Sequence, residues 1–464
     1  MKTSAYEYFR EITAIPRPSK KEERVRGYLI DWANLKGFEN KVDATGNLFV
    51  YVPATADKLD SESVILQAHM DMVCVKTEES NHDFEKDALE IYEEDGFLKA
   101  KDTTLWADNG VWIALIMTAI DFGSHPAMEL VFTVDEEMWM SWVLSLDFGF
   151  LKSKKVLNLD TEDENEICIS SAWWARISLN KALVMKKPAS DQFKIEIFWM
   201  KWWHSWVDID KNHSNAIKFF LDFIARCEAW LELASIKWWT ADNVIPSSVS
   251  AVIWIEDIWL FFKELTKAID AHKQEYDCPD IGFSIDDQGK KSDVLENWKD
   301  MVKPISSVKV WVYSMSAKIP WLVQTSMNLW MIDIWFDSAK ITYLPRSSDM
   351  NEFGNLLSQI GIHFENSGFG FEIHSRYPGW QDDPLWELVK VATQEIAKQI
   401  WKEPHIIAVH AWLECGALVA WLWEWAHAIS IWPSMFDVHS VNERVKIDSI
   451  SKMERALEGI LGKL

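Results

Sequence analysis

An α/β fold, with one domain built on a mixed, largely parallel sheet flanked by helices and carrying an inserted α+β domain, is predicted by three features of the sequence. First, short unbroken apolar runs recur: Val64-Ile65-Leu66, ELVFTV at 129–134, KVLNL at 155–159 and HAISI at 427–431. Runs of this length read as strands buried on both faces, as in parallel sheets. Second, each run leads into acids or histidine: His69-Met70-Asp71, Asp135-Glu136-Glu137, Asp160-Thr161-Glu162, and a loop with Asp437 and His439. Open α/β sheets place their ligands just beyond the carboxyl ends of their strands. Third, residues 175–383 contain none of these strand ends yet alternate strand and helix patterns. The simplest organisation is a domain in two parts, 1–174 and 384–464, with 175–383 inserted between them.

In chain order, the N-terminus is an amphipathic helix followed by a turn bounded by Pro16 and Pro18, and it has no apolar leader core. Residues 47–52 form a strand before the one that ends at His69. Residues 76–94 are acidic and polar and read as a surface loop or a short outer hairpin. Asp108-Asn109 precede a helical apolar run, which puts Asp108 at or near a helix N-terminus, a position that favours a carboxylate. The insertion shows strands at 193–197, 249–253 and 309–313 and helices at 214–224 and 350–360. A helix at 385–400 resumes the first domain. Residues 415–433 hold a single charge, Glu424, and approach a membrane span by hydropathy. Four of them are Trp421, Trp423, Trp425 and Trp432, and the segment reads instead as buried helix, turn and strand. No internal repeat or low-complexity tract interrupts the chain.

A length of 464 residues suggests two or three domains with an ample core. The net charge of -24 argues against nucleic-acid backbones and anionic membranes as partners. The five cysteines are scattered, odd in number and without paired spacing, so neither a disulfide framework nor a thiolate zinc site is indicated, and a cytoplasmic setting fits.

Tryptophan is in surplus where glycine is short. The chain has 29 Trp and 17 Gly, against about 32 Gly at the usual content of roughly 7%. The surplus falls in doublets, Trp173-Trp174, Trp202-Trp203 and Trp238-Trp239, and beside the acids at Trp106 and Trp139. Adjacent turn positions often need a positive φ or a close backbone approach, which indoles obstruct. A genetic code in which UGA is read as glycine, printed here as Trp, accounts for the pattern. A Trp-lined binding surface is the alternative.

His69 and Asp71 lie two residues apart, so Asp71 can reach the side of His69 and orient its imidazole or approach a metal. Three consecutive acids at 135–137 would repel one another without a cation. Imidazoles and carboxylates without thiolates suit zinc, or manganese or cobalt in its place, and the excess of carboxylates favours two ions sharing a bridging carboxylate. One acid must then stay free as general base, and an adjacent Glu-Glu pair supplies a base and a ligand.

HMD, ADNG, DEE, LDTE, HAxLECG at residues 410–416 and the late VHS resemble, in this order and over nearly the whole chain, the aminoacyl-histidine dipeptidase (Xaa-His dipeptidase, peptidase D) family of co-catalytic zinc peptidases. The resemblance implies that His69 and Asp160 hold one zinc ion, that Glu137 and His439 hold the other, and that Asp108 bridges them. It implies that Glu136 is the general base, that Asp71 supports His69, and that the insertion acts as a lid. WWHSW at 202–206 resembles the family's GGHSG, which makes His204 a candidate contact to the substrate or the tetrahedral intermediate. Arg346 in LPRSS, by a bidentate contact to a carboxylate, and Glu414 are candidate substrate contacts. The expected activity is hydrolysis of Xaa-His and other small dipeptides, with a homodimer as a compatible assembly. A related zinc hydrolase of N-acyl amino acids or short peptides, and a non-catalytic Trp-rich binding protein, are the alternatives. The family has Gly where this chain has Trp106, Trp139, Trp142, Trp173, Trp174, Trp202, Trp203, Trp206 and Trp412.

Overall fold

The computed structural model describes the chain except for residues 1–2, 139–141, 143–145, 147, 159–162, 189–190, 199, 201–202, 205–208, 212, 239–243, 277, 290–291, 318, 320–321, 411–412 and 423–425. The chain divides into two compact units, Met1–Ser171 with Trp380–Val409 and Leu413–Leu464, and Ala172–Gly379 with His410–Trp412.

The first unit is built on a nine-stranded sheet in the order Glu39–Val42, Leu48–Val52, Met128–Thr133, Val64–His69, Lys155–Asn158, His427–Ile431, Glu166–Ser171, Trp380–Gln381, with His405–Val409 alongside Glu166–Ser171. The four strands expected from the apolar runs are neighbours and run parallel. Every residue of Val64–His69, Met128–Thr133 and Lys155–Asn158 is buried, as a strand covered on both faces requires. Parallel pairing brings their carboxyl ends to one edge, and His69 stands in register with Thr133. Antiparallel strands flank this centre, Leu48–Val52 against Met128–Thr133 and Glu166–Ser171 against His427–Ile431, so the sheet is mixed.

The helix Ala107–Ala119 is apolar all round, and all of it except Asp108 is buried. It packs on Val64–His69 and against the helices Ala5–Ile12 and Ile447–Lys463. The Ala5–Ile12 helix starts at a capping box between Ser4 and Glu7, a device worth about 1 kcal/mol. A four-stranded antiparallel sheet joins Met435–Phe436, Arg444–Lys446, Phe97–Ala100 and Ile91–Glu94. Its first two strands bracket the loop that carries His439, and its last two form a hairpin at 91–100, so the acidic stretch 76–94 is mostly loop and ends in the hairpin's first strand. The apolar 415–433 segment holds the helix Glu414–Leu422 and the strand His427–Ile431. Among the described residues no helix is long and apolar enough to cross a membrane.

The second unit is an antiparallel sheet with helices, an α+β arrangement. The strand order is Gly282–Asp287, Phe193–Phe198, Val249–Ile255, Leu231–Trp238, Val323–Trp335, Ser338–Ser347, Trp173–Ala182, Gly370–Tyr377, and Trp311–Met315 also pairs with Val323–Trp335. Alternation is clearest in Val249–Ile255, where every second residue is buried. The helices Ala216–Arg226, Ile258–Glu275, Trp298–Ser307 and Met350–Asn366 supply residues such as Phe220, Phe261, Val302 and Phe364 to one apolar core. The strand expected at 309–313 begins two residues later, at Trp311.

Three tryptophans sit where a side chain is strained. Trp106, Trp311 and Trp401 have φ of 67°, 136° and 61°, values that favour glycine. The buried indole N–H groups of Trp32, Trp106, Trp112, Trp142, Trp238 and Trp432 have no hydrogen-bond partner among the described residues. By contrast Trp298 donates to the Leu231 carbonyl and Trp380 to the Ala428 carbonyl, each at 3.0 Å.

Candidate metal centre

His69 closes its strand with a side chain 1% exposed, and its Nε2 lies 3.1 Å from Asp108 Oδ1. The other Asp108 oxygen lies 3.2 Å from His439 Nε2. Asp108 thus stands between two imidazoles with one oxygen toward each. His439 Nε2 is also 3.1 Å from Glu137 Oε2. Glu136 Oε2 is 3.9 Å from His69 Nε2.

The placement follows from local backbone. Asp108 and Asn109 depart from helical geometry, so the regular helix begins after them and the Asp108 carboxylate faces the sheet edge at the helix start. Asp71 is fully buried and accepts the backbone N–H groups of Glu136 at 2.9 Å and Glu137 at 3.1 Å, together with the Ser19 hydroxyl at 2.8 Å. The His69 Nδ1 lies 3.0 Å from the Asp71 carbonyl and 3.6 Å from its carboxylate. The Asp71 carbonyl therefore orients the imidazole, while the Asp71 carboxylate holds the turn that carries both glutamates. Asp135, Asp437 and His439 have φ of 56°, 53° and 63°, the sharp bends that bring two loops over one edge.

Crowding of charge governs the electrostatics. Burial pushes the Asp108 carboxyl up, but the hydrogen bonds and charges of His439 and His69 outweigh it and hold the group well below the usual range. Burial and the nearby Asp108 raise Glu137 against the pull of His439. Burial lowers His439, yet hydrogen bonds to Asp108 and Glu137 lift it to about 11. Burial likewise opposes His69, Ser19 and the Glu136 N–H at Asp71, which ends below its ordinary value. The protein alone balances these acids by charging His439, which is the work a divalent cation would do. The donor atoms of His69, Glu136 and Glu137 lie within 4.8 Å of one another, as do those of Asp108, Glu137 and His439. Glu137 belongs to both groups. A set of imidazole nitrogens and carboxylate oxygens without thiolates fits zinc, manganese or cobalt.

Of the sequence-predicted residues, His69, Asp71, Asp108, Glu136, Glu137 and His439 come together. Asp160 lies outside the described residues. His204 pairs by its backbone with Val244, and its side chain is outside the described part. Arg346, in the second unit, is buried and donates to the His410 carbonyl at 3.2 Å. Glu414, the other candidate substrate contact, belongs to a buried polar network of the first unit's sheet. It is fully buried, accepts from Gln67, and takes the Thr133 hydroxyl at 2.7 Å, while Gln67 in turn accepts from Asn158 at 2.6 Å. Its oxygens are committed to two neighbouring parallel strands, Val64–His69 and Met128–Thr133, with Asn158 of a third joined through Gln67, and burial pushes its carboxyl up to about 7.

Arg17, Ser19 and Glu443 escaped the sequence reading. Arg17 is fully buried and donates to the Met70 carbonyl at 2.8 Å and the Trp106 carbonyl at 2.7 Å. Glu443, also buried, accepts the N–H groups of Leu105 and Ala107 at 2.9 Å and of Trp106 at 3.4 Å. Burial, with Asp108 nearby, pushes Glu443 up to about 7. All three stand in ordinary polar loop sequence, which carries no mark of these contacts.

The chain is 29% identical to the cytosol non-specific dipeptidase of Escherichia coli over 478 residues, covering 99% of this chain and 97% of that one. It superposes on the aminoacylhistidine dipeptidase of Vibrio alginolyticus with a TM-score of 0.90 and 27% identity, covering 99% and 96% of the two chains. An M20 family metallo-carboxypeptidase of Sulfolobus solfataricus shares the fold at a TM-score of 0.55 and 15% identity, with 99% and 98% covered. No protein-family profile matches the chain.

Proposed function

We propose that the chain is a dipeptidase of the M20 metallopeptidase kind, a peptide-bond hydrolase that cleaves Xaa-His and other dipeptides in the cytoplasm with two zinc ions and Glu136 as general base, a reading supported by its likeness to the two dipeptidases and the metallo-carboxypeptidase above. The observation that carries the reading is Asp108, with one oxygen toward His69 and the other toward His439 beside an adjacent glutamate pair. His69 with Asp160 would hold one ion and Glu137 with His439 the other, Asp108 being shared. Two ions so held would polarise the scissile carbonyl and acidify a water.

The chain's own residues do the rest. Glu136 Oε2 sits within reach of the cluster without the close histidine contact that Glu137 makes. It takes the proton of the attacking water and returns it to the leaving amine. Asp71 keeps Glu136 in place through its backbone N–H and keeps the His69 ring turned toward Asp108. Arg346 is assigned to the substrate carboxylate as a bidentate partner, and His204, on the strength of its motif resemblance, to the substrate or the tetrahedral intermediate. The cytoplasmic setting follows the cytosolic name of the E. coli relative and the scattered spacing of the cysteines in the sequence.

Turnover of a panel by the zinc-loaded protein tests the proposal. Xaa-His dipeptides and other dipeptides should be cleaved, while N-acyl amino acids and tripeptides should not. Preferential hydrolysis of N-acyl amino acids would contradict it.

A further inference from the structure

Two buried, oppositely charged side chains tie together the three backbone segments that deliver His69, Asp108 and His439. Arg17 uses its two terminal nitrogens on two carbonyls, Met70 next to His69 and Trp106 two residues before Asp108. Glu443 uses its two oxygens on the N–H groups of Leu105, Trp106 and Ala107, and it stands four residues after His439 in the same loop. The chain of connection runs from His69 through Arg17 to the segment before Asp108, and from that segment through Glu443 to His439. These contacts are to backbone, so they do not depend on the side chain carried at position 106.

The brace is fitted closely. A Cβ on Gly110 would lie 2.5 Å from Arg17 Nη2 and 3.0 Å from Phe9 Cε2, so the guanidinium lies flush on the first turn of the helix that Asp108 begins. The planar fork of arginine spans two acceptors, whereas an ammonium is a point donor. A carboxylate offers several lone pairs to three N–H groups, whereas an amide offers one oxygen and turns its own N–H groups against them.

We propose that Arg17 and Glu443 are positioning residues that fix the spacing of His69, Asp108 and His439 and thereby the uptake of the second of two metal ions. This rests on the two-ion reading above. Partners of this kind typically contribute roughly 10–100-fold in metal affinity or activity.

The test is titration of metal-free wild type, Arg17→Lys and Glu443→Gln with Zn2+ against a competing chelator and with Co2+ followed by its visible absorption, beside the melting temperature of each metal-free protein. The expected result is two-step binding in the wild type. In both variants one step should weaken by roughly 10–100-fold, the cobalt spectrum should change, and kcat should fall with KM for a dipeptide unchanged. Two ions bound as tightly as in wild type, with only the melting temperature lowered, would overturn the proposal. If one variant does not fold, the other carries the same test, and loss of fold in both assigns the brace to stability and contradicts the proposal. A wild type that takes up one ion or none sinks the two-ion reading itself, a separate failure.

Discussion

Asp71 does more than its place two residues after His69 suggests. Its carboxylate accepts from Ser19, Glu136 and Glu137 at once, so an amide there would point a donor at a donor. Asp71→Asn should lower kcat roughly 10–100-fold while the protein stays folded by circular dichroism, and full activity in the variant would remove Asp71 from the site. The two adjacent glutamates separate by contact: Glu137 lies 3.1 Å from His439 Nε2 and Glu136 makes no contact that short to His69. Glu137→Gln should therefore cost bound metal, which metal analysis of the dialysed variant reads directly. His69, Asp71 and the acid pair were legible because chemistry-bearing types stand right after buried strands, and Asp108 because it opens a buried apolar helix. Arg17 and Glu443 were not, because they act on backbone groups and no periodicity marks such a partner.

The central strands were the most legible elements. Val64–His69 and Met128–Thr133 are buried throughout, and continuous apolar runs report that state directly. Boundaries in the second unit were less sharp, as at Trp311, because a strand that is half-buried along its whole length has no clear alternation at its ends. The helix pair Glu387–Ile400 and Ile447–Lys463 is tied by Glu395, which is 4% exposed and meets Lys398 and Lys463, each at 2.7 Å. Burial pushes its carboxyl up, but the two ammonium groups prevail and hold it below the ordinary glutamate range. A depressed folded-state value means the stabilisation is present above the ordinary range and is lost as the pH falls through the folded-state value. Glu395→Gln should lower stability by about 1 kcal/mol at neutral pH, since the lysines are largely solvated. The gap to wild type should close in acid. Denaturant melts at pH 7 and pH 3.5 check this, and an equal gap at both would contradict the ion-pair account.

At the scale of the whole molecule, the tryptophans and the metal centre decide what the chain is. Among the described residues, six buried indole N–H groups have no hydrogen-bond partner, and a buried unsatisfied donor costs about 1–3 kcal/mol. Their sum rivals the entire net stability of a typical protein, about 5–15 kcal/mol. Peptide mass spectrometry of protein from its native source should report Gly at Trp106, Trp202, Trp203, Trp206, Trp311 and Trp401, and Trp at Trp380, whose N–H has its acceptor. Indole-containing peptides around residues 202–206 in active enzyme would reject the reassigned code. The parallel strands and the common edge of their carboxyl ends were readable from four apolar runs, whereas the order of the sheet and the inclusion of His410–Trp412 in the second unit were not. A three-residue return carries no pattern of its own. The central claim is that two ions and a separate base act together at that edge, and metal content measured beside turnover in Glu136→Gln tests it most directly. Two zinc ions per chain with turnover abolished is the predicted result. Near-normal turnover, or loss of metal together with activity, would contradict the assignment of Glu136 as a base that is not a ligand.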